Sequence, residues 1–234
     1  MLYSGWKPVL VAMSISSLGG LILDRAVTKF SGIAVFQPLF NGVGGNLVAV
    51  QASRISTYLH LNVRHDFRKH IPDNIKRKYD FTFSISVILK LFDFQSSGIG
   101  SLPKNDQDHG ICVNPCSIVF SPTNIHSRTC RVLLAMAVPG HFLFAFTISF
   151  LQAGHTTTTS TFYAFYLLAA VIQIWILLCS AHWMVLSMWK NQTDPDNASI
   201  PYLTALGDLL GGALLFITFE ILYLIGDRDS DVGD

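Results

Sequence analysis

Residues 199–226 decide the fold of this chain, because they form an apolar run long enough to cross a bilayer: SIPYLTALGDLLGGALLFITFEILYLIG. A transmembrane helix needs about 20 mainly apolar residues, and soluble core helices of this length and apolarity are uncommon. The run carries two acids, Asp208 and Glu220, and no Lys or Arg. Acidic side chains are costly inside a membrane, so this segment predicts a membrane protein with a polar site inside it.

Four other segments have a similar length and apolarity. They lie at about 7–24, 32–60, 130–152 and 160–189. The chain of 234 residues is 50% hydrophobic and only 13% charged, whereas soluble domains carry about 25% charged residues. No arginine-rich or lysine-rich arm is present, and we expect no nucleic-acid partner. We therefore predict an all-α membrane protein with a bundle of five transmembrane helices.

The polar stretch 61–129 separates the first two helices (1–60) from the last three (130–226) and holds most of the 16 Lys and Arg residues. Loops rich in Lys and Arg near helix ends stay in the cytoplasm. The basic residues nearest the ends are Arg64, Arg68, Lys69, Arg128 and Arg131. With this loop inside, five spans place the N-terminus in the cytoplasm, and the C-terminus with the acidic tail 227–234 outside.

Glycine loosens the second segment, where residues 41–46 read NGVGGN. Each glycine weakens a helix by roughly 1 kcal/mol relative to alanine, and in lipid a loosened helix is tolerated only against protein or a water-filled cavity. One interpretation is a kinked or partly unwound helix that lines a cation path. Its lining candidates are the carbonyls of Gly44 and Gly45 and the side chains of Asn41, Asn46 and Gln51. The other interpretation is a close helix–helix packing face.

Asp208 is the acid nearest the middle of the last segment. It lies about 14 Å from Ser199 at 1.5 Å per residue, close to the centre of a hydrocarbon core about 30 Å thick. A carboxylate there costs at least about 2.5–3.5 kcal/mol unless it is paired, hydrated or metal-bound. We expect a passing cation to balance Asp208. The alternatives are a protonated structural Asp or an ion pair with Arg54.

The candidate ligands Asp208, Asn41 and Asn46 offer only oxygen, which suits Mg²⁺, Ca²⁺ or Mn²⁺ rather than Zn²⁺ or Cu²⁺. This chemistry leaves Mg²⁺ and Ca²⁺ open. Further candidates for the path or its vestibules are Thr204, Asp194, Asp196 and Glu220. The acids before the last segment are either helix N-caps or a cluster that concentrates cations at the inner mouth. Glu220 is either a vestibule residue or a surface acid.

Several long motifs carry a family resemblance. Residues 36–57 (FQPLFNGVGGNLVAVQASRIST) closely resemble a signature of the solute carrier family 41 magnesium transporters, which are related to the bacterial MgtE channels. The same holds for 194–197 (DPDN), 200–211 (IPYLTALGDLLG) and 224–229 (LIGDRD). The resemblance covers about 1–65 and 112–234. Residues 80–111 depart from the pattern and are a possible insertion.

The resemblance implies a five-helix MgtE-type domain with a Mg²⁺ path. Asp208 matches the motif Asp that faces the ion, and Asn46 matches the Gly-Asn motif of the second helix. Family members carry two such domains, and this chain resembles the second. A path between two domains would need another copy, by homodimerisation or from a full-length relative.

Two functions follow as hypotheses. The first is Mg²⁺ transport in a multi-pass membrane protein, with the plasma membrane as its expected location, by a channel-like mechanism or by coupling to Na⁺. The ion is cargo, and no permanently bound cofactor is expected. The second is a non-transporting half that regulates a full-length relative. We do not expect an enzyme, because an intramembrane aspartyl protease needs two carboxylates that share a site, and Asp208 has no mid-helix partner.

Overall fold

The computed structural model describes residues 2–62, 125–151, 159–190 and 193–226. This part of the chain forms five α-helices, which are α1 (Leu2–Lys29), α2 (Ile33–Asn62), α3 (Ile125–Phe150), α4 (Ser160–Lys190) and α5 (Pro195–Ile225). Each helix is long and apolar enough to cross a membrane. The predicted all-α architecture with five membrane-spanning helices is therefore confirmed. Most of the 61–129 loop, with the possible insertion at 80–111, and the tail 227–234 lie outside the described residues.

Helix α5 begins earlier than its apolar run, because Asp194 caps it. Asp194 has an extended backbone (φ −67°, ψ 114°), and its Oδ1 accepts a hydrogen bond of 3.2 Å from the N–H of Asp196. Pro195 then occupies the first turn, where the missing N–H would have had no partner in the helix. Gly226 ends the helix at φ 88°, a left-handed conformation that favours glycine. Apolarity alone does not reveal such polar first turns.

Helix α2 is continuous from Ile33 to Asn62, through Pro38 and the glycine-rich stretch 41–46. The interpretation was a kinked or partly unwound helix, and its unwound form is therefore wrong. Inside a membrane, no water is available to hydrogen-bond the backbone groups of an unwound segment. This favours a continuous helix even at glycine residues. Tertiary packing of α2 against its neighbours adds to this stability.

The helices α2, α4 and α5 pack against one another at the centre of the bundle. Helix α1 lies along α5 and has little contact with α2, and α3 lies along α2 and α4. Buried aromatic rings fill the half of the bundle near the α1–α2 connection: Phe36 and Phe162 have centroids 4.9 Å apart, and Phe40 and Tyr166 have centroids 5.1 Å apart. This arrangement brings the glycine-rich part of α2 against α5.

Candidate functional site

The backbones of α2 and α5 meet at a pair of glycines. A Cβ atom added to Gly207 would lie 3.7 Å from both Cα and N of Gly45. A Cβ atom added to Gly45 would lie 3.8 Å from Cγ2 of Thr204. Small residues of this kind allow two membrane helices to approach closely. The structure therefore supports the packing interpretation of the glycine-rich stretch.

Asp208 follows Gly207 at this contact and lies about 20 Å along α5 from Pro195, near the middle of the helix. Its side chain is half-buried. Ser16 of α1 donates a hydrogen bond from Oγ to Oδ2 of Asp208 at 3.0 Å. Within the described ranges, no Lys, Arg or His forms an ion pair with Asp208. Its one described partner is thus a neutral hydroxyl group.

Two further polar side chains are exposed on the two helices that meet at this contact. Asn46 is exposed, next to Gly45, and makes no side-chain hydrogen bond with a described residue. Thr204 is also exposed, and its Oγ1 donates to the carbonyl of Ile200 at 3.0 Å. Because Thr204 precedes Asp208 by four residues, both lie on the same face of α5. We call Asn46, Thr204 and Asp208 the open face.

Asn41 lies on a different side of α2. It is half-buried, and its Oδ1 accepts a hydrogen bond of 3.1 Å from Nε2 of Gln37. A Cβ atom added to Gly211 would lie only 2.9 Å from that oxygen. Asn41 therefore occupies the contact between α2 and α5, whereas Asn46 is exposed.

Gly44 and Gln51 face α4. A Cβ atom added to Gly44 would meet Gln173 of α4 at 2.9 Å and Leu177 at 3.5 Å. Gln51 lies two turns further along α2, hence on the same side. It is fully buried, and its amide has no hydrogen-bond partner among the residues that the structure describes. The structure does not bring Gln51 to the open face.

Glu220 forms an ion pair with Lys29, the last residue of α1. It lies about 18 Å along α5 from Asp208. The Lys29 ammonium also lies 5.2 Å from the ring centroid of Phe30 and 5.8 Å from that of Tyr223. This arrangement links the ends of α1 and α5, and it favours a structural role for Glu220 over a vestibule role.

Asp194 and Asp196 lie at the opposite end of the bundle, beside His60 of α2. The His60 Nε2 is 3.7 Å from Oδ1 of Asp194 and 3.8 Å from Oδ2 of Asp196. All three residues are exposed, and their ligand atoms lie within 4.8 Å of one another, a spacing that could hold a metal ion. Asp194 also serves as the N-cap of α5. Accumulation of cations at this end stays a prediction.

Two polar residues near the open face were not identified from the sequence. Ser16 is one of several serines in α1, and no pattern distinguishes it. Gln173 is fully buried in α4, where Nε2 donates to the carbonyl of Phe40 at 3.3 Å and to that of Gly207 at 3.1 Å. Gln173 could have been identified from its amide in a strongly apolar segment, because polar groups in lipid need hydrogen-bond partners.

Comparison with known proteins adds a family model and several relatives. The model described as "MgtE: Divalent cation transporter" matches residues 37–218. The chain is 47% identical to solute carrier family 41 member 2 of Xenopus laevis and 45% identical to that of Homo sapiens, over 100% of its own length. It is 38% identical to solute carrier family 41 member 3 of Rattus norvegicus over 96% of its length.

The match covers only part of these relatives. The chain spans 35% of the length of the two member 2 proteins and 41% of the length of the rat member 3 protein. No solved structure matches the chain.

Proposed function

The chain belongs to the MgtE family of divalent cation transporters, a family of membrane transporters and not of enzymes, and on this premise we propose that its open face is one wall of a magnesium path. Asp208 provides the charge that attracts the ion. Asn46 and Thr204 provide neutral oxygen atoms beside it. A hydrated Mg²⁺ ion passes along this wall.

The observation that carries the proposal is that no Lys, Arg or His among the described residues pairs with Asp208. The carboxylate lies near the middle of a helix that is long and apolar enough to span a membrane. A charged side chain at that depth costs at least about 2.5–3.5 kcal/mol. The hydroxyl group of Ser16 orients the carboxylate but brings no positive charge. A cation on the open face would provide the compensating charge.

The ligand set favours Mg²⁺ over Ca²⁺. Mg²⁺ is usually held through one or two carboxylates and keeps several of its waters, whereas Ca²⁺ takes 6–8 oxygen ligands. The open face offers one carboxylate with an amide and a hydroxyl beside it, which suits an ion that remains largely hydrated. The resemblance to the solute carrier family 41 magnesium transporters supports the same choice.

A second MgtE-type domain would complete the path. The open face is polar on the outside of the single chain, and polar groups are costly against lipid. The other wall comes from a second copy of this chain or from a full-length relative. Because the chain spans 35% of the member 2 relatives, a non-transporting half that assembles with such a relative is the second candidate function.

Flux measurements on Asp208→Asn test the proposal. The full chain is reconstituted in vesicles, and Mg²⁺ uptake is measured with an internal fluorescent indicator. Asp208→Asn should abolish most of the uptake. Asp24→Asn is the matched control, because it makes the same change at an exposed position of α1 and should leave uptake intact. Equal uptake by all three proteins at equal insertion would remove Asp208 from the path.

Further measurements separate the alternatives within this proposal. Uptake with and without a Na⁺ gradient distinguishes coupled exchange from channel-like permeation. Mass and stoichiometry in detergent distinguish a homodimer from a subunit that associates with a full-length relative. We place the protein in the plasma membrane. Its N-terminus lies in the cytoplasm and its C-terminus outside, an orientation that protease protection of tags at the two ends would test.

A further inference from the structure

We propose that Gln173 of α4 is a positioning residue that holds α2 and α5 in register at Asn41 and Asp208. The inference rests on the proposed magnesium path, because it assigns Gln173 a role in shaping one wall of that path. Gln173 itself is fully buried and takes no part in the open face. It acts through the two helices that it joins.

A single amide nitrogen joins these helices. Nε2 of Gln173 donates to the carbonyl oxygen of Phe40 in α2 at 3.3 Å and to that of Gly207 in α5 at 3.1 Å. An amide NH₂ group has two N–H donors, so one group can serve both acceptors. The reversed amide would place Oε1 against two carbonyl oxygens, which would repel it. The contact therefore requires a donor at this position.

The same two helices carry glycines where the amide approaches. In a helix, the carbonyl of Phe40 accepts the N–H of Gly44, and the carbonyl of Gly207 accepts the N–H of Gly211. A Cβ atom on Gly44 or on Gly211 would lie only 2.9 Å from Nε2 of Gln173. Because each Cβ tilts toward the N-terminus of its helix, only glycine at these positions leaves the carbonyl one turn earlier open to the amide.

The held carbonyls are next to one residue of the contact between α2 and α5, Asn41, and to the acid of the open face, Asp208. Phe40 directly precedes Asn41, and Gly207 directly precedes Asp208. The Gln173 amide therefore fixes the axial position of α2 relative to α5 at Asn41 and Asp208. Interhelical hydrogen bonds stabilise membrane proteins only modestly, so the main consequence of this contact is geometric. A shift of about 1 Å at a functional site can reduce its activity a hundredfold.

A cross-linking experiment measures this register without relying on transport. Gly45→Cys and Thr204→Cys are introduced into the full chain in vesicles, with the native cysteines replaced. A Cβ atom on Gly45 would lie 3.9 Å from Cα of Thr204, close enough for a disulfide. The rate of disulfide formation is compared between Gln173 and Gln173→Leu. We expect the Leu variant to cross-link about three- to tenfold more slowly, because disulfide geometry is strict.

Transport provides the second measurement, with the native residues at 45 and 204. Gln173→Leu and Gly44→Ala should each raise the half-saturating Mg²⁺ concentration about three- to tenfold, with a smaller change in maximal uptake. In a Gln173→Ala background, Gly44→Ala should raise the half-saturating Mg²⁺ concentration little further, because the amide that the added methyl group would obstruct is gone. Gly42→Ala is the matched control, because a Cβ atom there meets nothing within 4 Å.

The two measurements fail in different ways. Unchanged cross-linking in Gln173→Leu, or a loss of uptake that only follows a loss of folded protein, would overturn the positioning role. If the wild-type chain shows no uptake, the proposed function fails while the cross-linking rate still decides whether Gln173 sets the register. Slower cross-linking together with the non-additive effect of Gly44→Ala would establish it.

Discussion

Ser16 of α1 and Asp208 of α5 are joined by a hydrogen bond of 3.0 Å from Oγ to Oδ2. One turn further along α1, a Cβ atom on Gly19 would lie 3.2 Å from the backbone nitrogen and Cα of Leu209. The first helix therefore approaches α5 at the residue that we place in the ion path. Helix α1 is part of the support of this site as well as a membrane span.

Ser16→Ala should weaken the interaction with Mg²⁺ without abolishing uptake. The hydroxyl group orients the carboxylate, and a hydrogen bond to a charged group is worth about 1.5–3 kcal/mol. Because this bond already exists without the ion, only the part of it that differs between the ion-bound and ion-free states changes the affinity. We therefore expect a rise of less than about tenfold in the half-saturating Mg²⁺ concentration. Ser14→Ala is the control, since its hydroxyl bonds to the carbonyl of Leu10. Equal half-saturating Mg²⁺ concentrations for Ser16→Ala and Ser14→Ala would contradict this role of Ser16.

Gly19→Ala should destabilise the bundle, whereas Gly20→Ala should not. The added methyl at position 19 would press on the backbone of α5 at 3.2 Å, but at position 20 it would meet nothing within 4 Å. Overpacking typically costs about 1–3 kcal/mol, whereas alanine in an open helix position gains up to about 1 kcal/mol over glycine. Unfolding of the full chain in mixed micelles measures both effects. A stable Gly19→Ala protein would show that α1 does not pack closely on α5.

Glu220→Gln should leave Mg²⁺ uptake close to that of the wild-type protein. Its partner Lys29 is half exposed (50%), and the Glu220 side chain is 29% exposed, so the ion pair should contribute at most about 1 kcal/mol. A double-mutant cycle with Lys29→Met, read by unfolding, should give a coupling energy of that size. If Glu220→Gln reduced uptake as strongly as Asp208→Asn, Glu220 would belong to the path and not to a link between helix ends.

The pattern of apolar residues was sufficient to predict five membrane-spanning helices, because length and hydrophobicity alone determine whether a segment suits a bilayer. The depth of Asp208 followed from the same count. Helix starts were predicted less well. Helix α5 begins at Pro195, before its apolar run. The sequence-based interpretation of the acids before this run as helix N-caps is confirmed for Asp194.

Which side of a helix faces which neighbour depended on tertiary packing. Asn41 and Asn46 were both predicted to line the path, but the structure places Asn41 against Gly211 and leaves Asn46 exposed. Gln51 was a candidate on the same segment, yet it is fully buried and lies two turns along α2 from Gly44, which faces α4. A hydropathy value shows that such a residue is polar but not which neighbouring helix its side chain faces.

The sequence by itself thus determined that the chain is a bundle of apolar helices with an acid near mid-membrane. Each segment's own residues decide this, because transfer into lipid is a property of the segment. The partners of that acid and of the glycines are not local. The contacts from Ser16 to Asp208 and from Gln173 to Phe40 and Gly207 join residues far apart in the chain. They exist only once the helices have packed, because packing sets which polar groups come within hydrogen-bonding distance.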